Sequence, residues 1–528
     1  MKKALRGSIL LILFLLLSTA CNKTNSELFL SSDKTYSGEV PCENRAIGGI
    51  SMGAYGSSNL GLKNYKMFNT YVFLGGLISM KDLLTYLVKR NRPVWEAPND
   101  ANIDHWGNFP TRQTLTYMMQ DITLAYGNML YNNPYSTFYP PDTLKEVGKG
   151  FDLYNPTGKY RLIDYFDGGD KNIGTNDEGV SYSNGMIDED EVPNIPVKIM
   201  LAVDYNGNGK RDRLYNYAGD VTWSEPVANH CCEPFIDKNN NFLWDEGESF
   251  DDYGLDKIKG TNDEGEGNGV YDRTDAVNYM LENDPVKRFN DISAEELKKK
   301  NFYFDVGDKD DFEFYHHYTT FFKSMYSKGL SVTTVKGYPY DSIFPKSNPA
   351  QYLKSGNNIF FEYPGHHVGG VQGIVTRFIF ALSFVSMHFP KFNFYDVKEG
   401  DHGTIEINNF ISPSFIPGTK TSKRYGIYLP PGYYEHPDEF YPIFYFFPGY
   451  MQALETTAEI WFRDIVDYLI WNRYLNKMII VFVDGAGGYG GCFYVNHVDD
   501  SGQDPGQYED YIFKDLIPLV ETHYRVAR

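Results

Sequence analysis

The pentapeptide Gly49-Ile50-Ser51-Met52-Gly53 constrains this chain more than any other feature. It fits the G-x-S-x-G pattern, in which a serine sits on a sharp turn between a strand and a helix. Both glycines are needed there, because a side chain at either flank would collide with neighbouring backbone. The context agrees. Ala46-Ile47 reads as a short apolar strand before the turn, and Ala54, Gly56, Ser57 and Ser58 are small enough to let a helix pack close to a sheet. Tyr71 to Leu74 follows as the next apolar strand, so residues 44 to 84 predict an α/β architecture.

A serine hydroxyl is a poor nucleophile without a base, and the base needs an acid to orient it. Two downstream loops offer them. Gly307-Asp308-Lys309-Asp310-Asp311 follows the strand-like run Asn301 to Asp305, and Tyr363-Pro364-Gly365-His366-His367 follows Ile359 to Phe361. The order serine, aspartate, histidine is that of α/β-hydrolases, which carry acid and base on loops after successive strands. The residues alone leave the choice among three aspartates and two histidines open.

Several segments resemble the esterase D-like, feruloyl and acetylxylan esterase group of α/β-hydrolases. Arg45 to Gly56 is similar to its elbow, Asp305 to Asp310 to its acid-bearing loop, and Pro364-Gly365-His366-His367 to its Pro-Gly-x-His base motif. The resemblance selects Asp310 as the acid and His367 as the base, with Ser51 as nucleophile. In the C-terminal part, Tyr425 to Tyr433 resembles the opening strand and turn, and Phe447-Pro448-Gly449-Tyr450 the oxyanion loop, with Pro448 where relatives usually have His. By the same resemblance the backbone amides of Met52 and Tyr450 are the oxyanion donors.

The order of these pieces is reversed, since what opens such an enzyme here comes last. A circular permutation accounts for this, with residues 400–528 supplying the first strands of one sheet and residues 43–160 and 300–392 the rest. A truncated tandem, or halves that complement each other between two molecules, would give the same order.

Between the halves lies an acidic insertion, taken as residues 161–299. From Asp164 to Asp275 there are 26 Asp and Glu against 9 Lys and Arg, so 17 of the 20 net negative charges fall in that stretch. No basic patch is left to neutralise phosphates, which excludes nucleic acid as an expected partner. Within it, the run from Asp170 to Gly179 recurs from Asp256 to Gly265, the mark of a repeated module. Asp237, Asn239, Asn241, Asp245 and Glu248 occupy positions 1, 3, 5, 9 and 12 of a twelve-residue loop, the EF-hand ligand spacing, although Phe242 replaces the usual glycine. Asp204, Asn206, Asn208 and Asp212 form a second partial match, with Tyr215 in place of the closing glutamate. Hard oxygen ligands favour calcium, as a structural staple, and no organic cofactor is implied.

At the N-terminus, Lys2, Lys3 and Arg6 precede an apolar run from Ile9 to Leu17 and then Ser18-Thr19-Ala20-Cys21. The run is too short to span a bilayer and resembles a lipoprotein export signal. Residues 1–21 are then the signal, with lipidation at Cys21, and residues 22–42 a polar linker. An exported protein held at the cell envelope by its lipid follows, at the outer membrane if the cell has one. Five cysteines do not make a disulfide scaffold, and Cys42 could pair with Cys492 only if the fold brought them together.

The sequence therefore predicts an α/β-hydrolase sheet assembled from N- and C-terminal parts, with an inserted acidic, loop-rich calcium-binding module. The expected activity is hydrolysis of an acyl or sugar ester by a serine carboxylesterase. The alternative is a catalytically inactive calcium-binding surface lipoprotein with a binding or adhesion role.

Overall fold

The computed structural model describes residues 35–89, 118, 121–122, 124–127, 160–163, 200–203, 213–215, 221–224, 232–233, 235, 244–255, 260, 262, 264–312, 314–337, 344–353, 356–367, 370–488, 490–498 and 506–528. Residues 1–34, with Cys21 and the stretch that resembles an export signal, the repeat from Asp170 to Gly179 and most of residues 90–159 lie outside them.

Nine strands form one sheet: β1 (Arg45–Ile50), β2 (Thr70–Leu74), β7 (Asn301–Gly307), β8 (Thr333–Lys336), β9 (Asn358–Tyr363), β10 (Thr404–Ser412), β11 (Thr421–Leu429), β12 (Ile443–Phe447) and β13 (Ile479–Val483). Their spatial order is β10-β11-β13-β12-β1-β2-β7-β9-β8. All neighbours run parallel except β10 with β11 and β11 with β13. The remaining strands, β3 (Tyr160–Ile163) with β4 (Met200–Val203) and β5 (Arg213–Tyr215) with β6 (Val221–Ser224), make two separate antiparallel pairs.

Strands of the sheet's centre are apolar on both faces, as a parallel sheet between two helical layers requires. On β12, Ile443, Tyr445 and Phe447 join one core, while Phe444 and Phe446 join the other. Helices α1 (Met52–Lys63) and α6 (Tyr315–Ser327) cover the first face, and α7 (Gly370–His388) with α8 (Ile460–Trp471) the second. Among the described residues no helix is long and apolar enough to cross a membrane.

The two halves of the sequence meet at the sheet's centre, where β1 pairs in parallel with β12 and Arg45 lies opposite Ile443. Two residues earlier on β12, Tyr441 forms a parallel bridge with Val526. Its N–H does not donate toward β13. Instead the Tyr441 N–H donates to Arg525 O (2.8 Å) and Ala527 N–H donates to Tyr441 O (2.8 Å), while Pro442 O faces Ile479 on the β13 side. Because successive residues of a strand point to opposite neighbours, Val526 and Arg45 lie on the same edge of β12, in line along one strand track. Asn44 Nδ2 donates to Ala527 O (3.1 Å) across the join. The Arg45 guanidinium makes a bidentate pair with Glu521, at 2.7 and 2.6 Å.

One boundary differs from the sequence expectation. Helices α3 (Asp275–Glu282), α4 (Pro285–Asp291) and α5 (Ala294–Leu297) fall inside the stretch assigned to the acidic insertion. Yet Val277, Met280, Phe289, Ile292 and Leu297 belong to the core beneath α1. The charge asymmetry that marked the insertion ends near Asp275, and apolar helical periodicity takes over there. Cys42 and Cys492 are not disulfide-bonded, whereas Cys232 is.

Candidate active site

Ser51 stands between β1 and α1 with φ 55° and ψ −118°, a backbone conformation that non-glycine residues rarely adopt. The turn is held from both sides. Ser51 N–H donates to Leu74 O on β2 (2.8 Å), and Ser51 O accepts from the amides of Ala54 (3.0 Å) and Tyr55 (3.2 Å). A Cβ at Gly53 would collide with the carbonyl of Phe447, so the second glycine of the pentapeptide is what lets the elbow press against β12.

His367 arrives on the loop after β9. Its Nε2 lies 2.9 Å from Ser51 Oγ and its Nδ1 lies 2.7 Å from Asp310 Oδ2. With a carboxylate at Nδ1, the neutral imidazole carries its proton there and presents Nε2 as an acceptor to the serine hydroxyl. The other oxygen of Asp310 accepts from the amides of Phe312 (3.0 Å) and Phe314 (3.4 Å), which fixes the carboxylate's plane. The rings of Phe312 and Phe314 stand edge-on to the imidazole, with centroids at 4.8 and 5.3 Å. The side chains of His367 and Asp310 are 6% and 1% exposed. Their neighbours form a second pair. His366 Nδ1 lies 2.7 Å from Asp311 Oδ1, and Asp311 Oδ2 accepts the His367 amide (3.2 Å).

A buried ion pair lies beneath this loop. Arg377 on α7 binds Asp305 on β7 through Nε and Nη2, both at 2.9 Å, and both side chains are fully buried. Its remaining nitrogen donates to His367 O (3.0 Å), which also accepts from the Tyr363 hydroxyl (2.8 Å). The guanidinium thus ties α7, β7 and the loop bearing His367 together. Neither Arg377 nor Asp305 was singled out for such a role from sequence, since an arginine inside an apolar helix carries no local pattern that names its partner.

The loop bearing Tyr450 leaves β12 directly beside the elbow, because Gly49 pairs with Phe447. A Cβ at Gly449 would stand 3.4 Å from Ser51 Cβ, so the loop passes over the serine. Pro448 O accepts from the Tyr494 hydroxyl (2.8 Å), and Gly449 N–H donates to Gln452 Oε1 (2.8 Å). Met52 opens α1, where a helix has no internal acceptor for its first amides. Met52 follows Ser51 directly, and Tyr450 follows Gly449 on the loop that passes over the serine.

Of the nine proposed calcium ligands, Asp245 and Glu248 fall among the described residues. Asp204, Asn206, Asn208, Asp212, Asp237, Asn239 and Asn241 lie outside them. Asp245 forms an ion pair with Lys81, and Glu248 Oε2 accepts the Asp245 amide (2.9 Å). Among the described residues, the group of His, Cys, Asp and Glu close enough to hold an ion is His402, Asp464 and Asp467. Arg463 already binds Asp464 there at 2.8 Å.

No protein-family model matches the sequence, and no curated protein matches it. Among solved structures the chain is similar to a ferulic acid esterase, at 20% identity over 24% of this chain and 46% of that one, with a TM-score of 0.21. It is also similar to a PHB depolymerase complexed with an R3HB trimer, at 12% identity over 41% of this chain and 65% of that one, with a TM-score of 0.21. The chain thus covers less than two thirds of either structure.

Next to Phe314, at a ring distance of 5.1 Å, lies His317, which is 2% exposed and whose Nδ1 has no hydrogen-bond partner among the described residues. Burial draws its pKa down to about 4, while the charges of Asp82 and Asp310 pull the other way. The folded state then holds this imidazole neutral, whereas the unfolded chain protonates it near its ordinary value. Between those two values the unfolded chain binds more protons, so stability falls as pH falls, by up to about 3 kcal/mol for this group. Asp284, pushed up by burial to about 6, titrates with the opposite sign, so the comparison must be made against a variant. Urea unfolding at pH 7.5 and pH 5 should show His317→Asn losing less stability on acidification than the wild type. Equal losses would mean that His317 is not held neutral.

Proposed function

We propose that the protein is a serine ester hydrolase, with Ser51 as nucleophile, His367 as general base and acid, and Asp310 orienting His367. The observation that carries this is the unbroken hydrogen-bonded line from Ser51 Oγ through both imidazole nitrogens to a buried carboxylate. Each member sits on a loop leaving a different strand of the same sheet.

In this reading an ester carbonyl enters above Ser51. The serine oxygen attacks the acyl carbon as Nε2 of His367 takes its proton, and the imidazolium is stabilised by Asp310. The carbonyl oxygen becomes the tetrahedral oxyanion and is met by the amides of Met52 and Tyr450. His367 returns the proton to the departing alkoxide, the C–O bond breaks, and an acyl-serine remains. Water repeats the sequence with His367 as base and releases the carboxylic acid. The rings of Phe312 and Phe314 shield the imidazole from bulk water, which strengthens its pairing with Asp310.

We read the sheet as circularly permuted within one chain. The alignment of Val526 and Arg45 along β12 supports this, since only a short linker would be needed to make the two one strand. Calcium is proposed as a structural staple of the loops 204–212 and 237–248. The support for it is their ligand spacing.

Soluble protein beginning after Cys21 should hydrolyse a short p-nitrophenyl ester, and Ser51→Ala should lower kcat by about 10⁴-fold or more. Chelator should lower the melting temperature, and added calcium should restore it. A folded wild type inert on esters would favour the surface-binding alternative. A chain reopened within 396–400 and joined by a short linker from Arg528 to Asn44 should fold and keep activity within a few-fold; failure to fold would remove the permuted reading.

A further inference from the structure

We propose that Asp121 is a positioning residue that holds the oxyanion loop in place, an inference that rests on the ester-hydrolase reading. Asp121 belongs to neither half of the sheet. It lies among the helical residues 121–122 and 124–126, inside the long excursion between β2 and β7, and it is fully buried. Its Oδ2 accepts three hydrogen bonds: from the Tyr450 hydroxyl (2.5 Å), from Gly490 N–H (2.9 Å) and from Gly491 N–H (3.2 Å). The opposite oxygen fills the space beside Gly488, whose φ of +53° and missing Cβ let the loop close around the carboxylate.

Two loops therefore converge on one carboxylate. Tyr450 follows β12, and Gly488, Gly490 and Gly491 follow β13; the two loops are also joined directly by Met451 N–H donating to Gly490 O (2.8 Å). The Tyr450 ring lies flat enough against this turn that a Cβ on Gly490 or Gly491 would strike it. The side chain is thus clamped along its length and tethered at its tip. Since Cα of Tyr450 joins that side chain to the backbone N–H proposed for the oxyanion, fixing one restricts the other. Hydrogen bonds to a charged acceptor are the stronger kind, and in a dry site they hold geometry closely.

The stretch bearing Asp121 is itself anchored on the elbow helix. Ile122, Ala125 and Tyr126 are buried in the core that includes Tyr55, and the Tyr126 hydroxyl donates to the Tyr55 hydroxyl (2.6 Å). Asp121 can therefore act as a strut between α1, which presents Met52, and the loop that presents Tyr450. Both oxyanion donors are referenced to the same rigid piece. Asparagine at this position would keep the shape, but the three donors would meet a neutral carbonyl oxygen in place of a carboxylate, and in the flipped rotamer an NH2 group.

The test is steady-state hydrolysis of a p-nitrophenyl ester by wild type, Asp121→Asn, Tyr450→Phe and the double variant, with active sites counted by titration with a fluorophosphonate. Asp121→Asn should lower kcat per titrated site by roughly ten- to a hundredfold, with KM within about twofold. Affinity for a trifluoromethyl ketone, which binds as the tetrahedral adduct, should fall by the same factor as kcat/KM. Tyr450→Phe, which removes one hydroxyl, should show a smaller loss of the same kind, and the double variant should lose less than the product of the two. A purely structural role would lower the titrated fraction while leaving kcat per site unchanged, and that result would overturn the proposal. So would Asp121→Asn within twofold of wild type on every measure, an outcome that leaves the hydrolase reading standing. A wild type that neither turns over ester nor takes up the phosphonate would sink the hydrolase reading and this inference together.

Discussion

Backbone pairing along β1 and β12 sets Gly49 opposite Phe447, and the chain leaves both strands at that level. One departure carries Ser51 and the other carries Tyr450, so a single stretch of parallel register decides whether these two loops meet. The strands come from segments almost four hundred residues apart, and the long intervening chain raises the entropy of closing that contact only slowly with its length. Buried apolar faces offset the cost: β12 and its neighbours are covered on both sides, and the elbow glycine lets α1 lie directly against β12. A shift of one residue between β1 and β12 would turn the buried faces over and separate the serine from its loop.

The second constraint is the buried pair of Arg377 with Asp305. An ion pair taken fully out of water is tolerated when its geometry is good and its remaining donors are used, and removal of one partner typically costs about 3–5 kcal/mol. Here the remaining donor reaches the carbonyl of His367. Charge buried for structural reasons thus also orders the loop that carries His367. The adjacent pair of His366 and Asp311 repeats the arrangement nearer the surface and anchors the His367 amide. Ser51 and His367 are held from below by α7, from the side by the loop bearing Asp310 and from above by the loop bearing Gly449.

The sequence made the elbow legible because its glycines answer a local steric demand, and the β strands legible because they are short, apolar and bounded by turns. Asp310 and His367 were separable from Asp311 and His366 only by resemblance. Both pairs lie on equivalent polar loops, and it takes the fold to show that one pair points at Ser51 and the other flanks it. The roles of Arg377 and Asp121 were not legible at all. Each works through partners more than seventy residues away in sequence, and each stands in a helix where nothing local distinguishes it from a solvated charge. The membership of 275–297 in the main core was hidden for a related reason, since charge composition changes gradually where packing changes at once.

The central claim is that Ser51 is chemically activated by the line of groups behind it. The most direct measurement is intact-mass and peptide-mapping analysis of the folded protein after brief exposure to a fluorophosphonate, with His367→Ala alongside. The account predicts one adduct per chain, located on Ser51, formed far more slowly in the variant and absent after unfolding in urea. An unmodified folded protein, or an adduct on another residue formed equally fast in the variant, would contradict it.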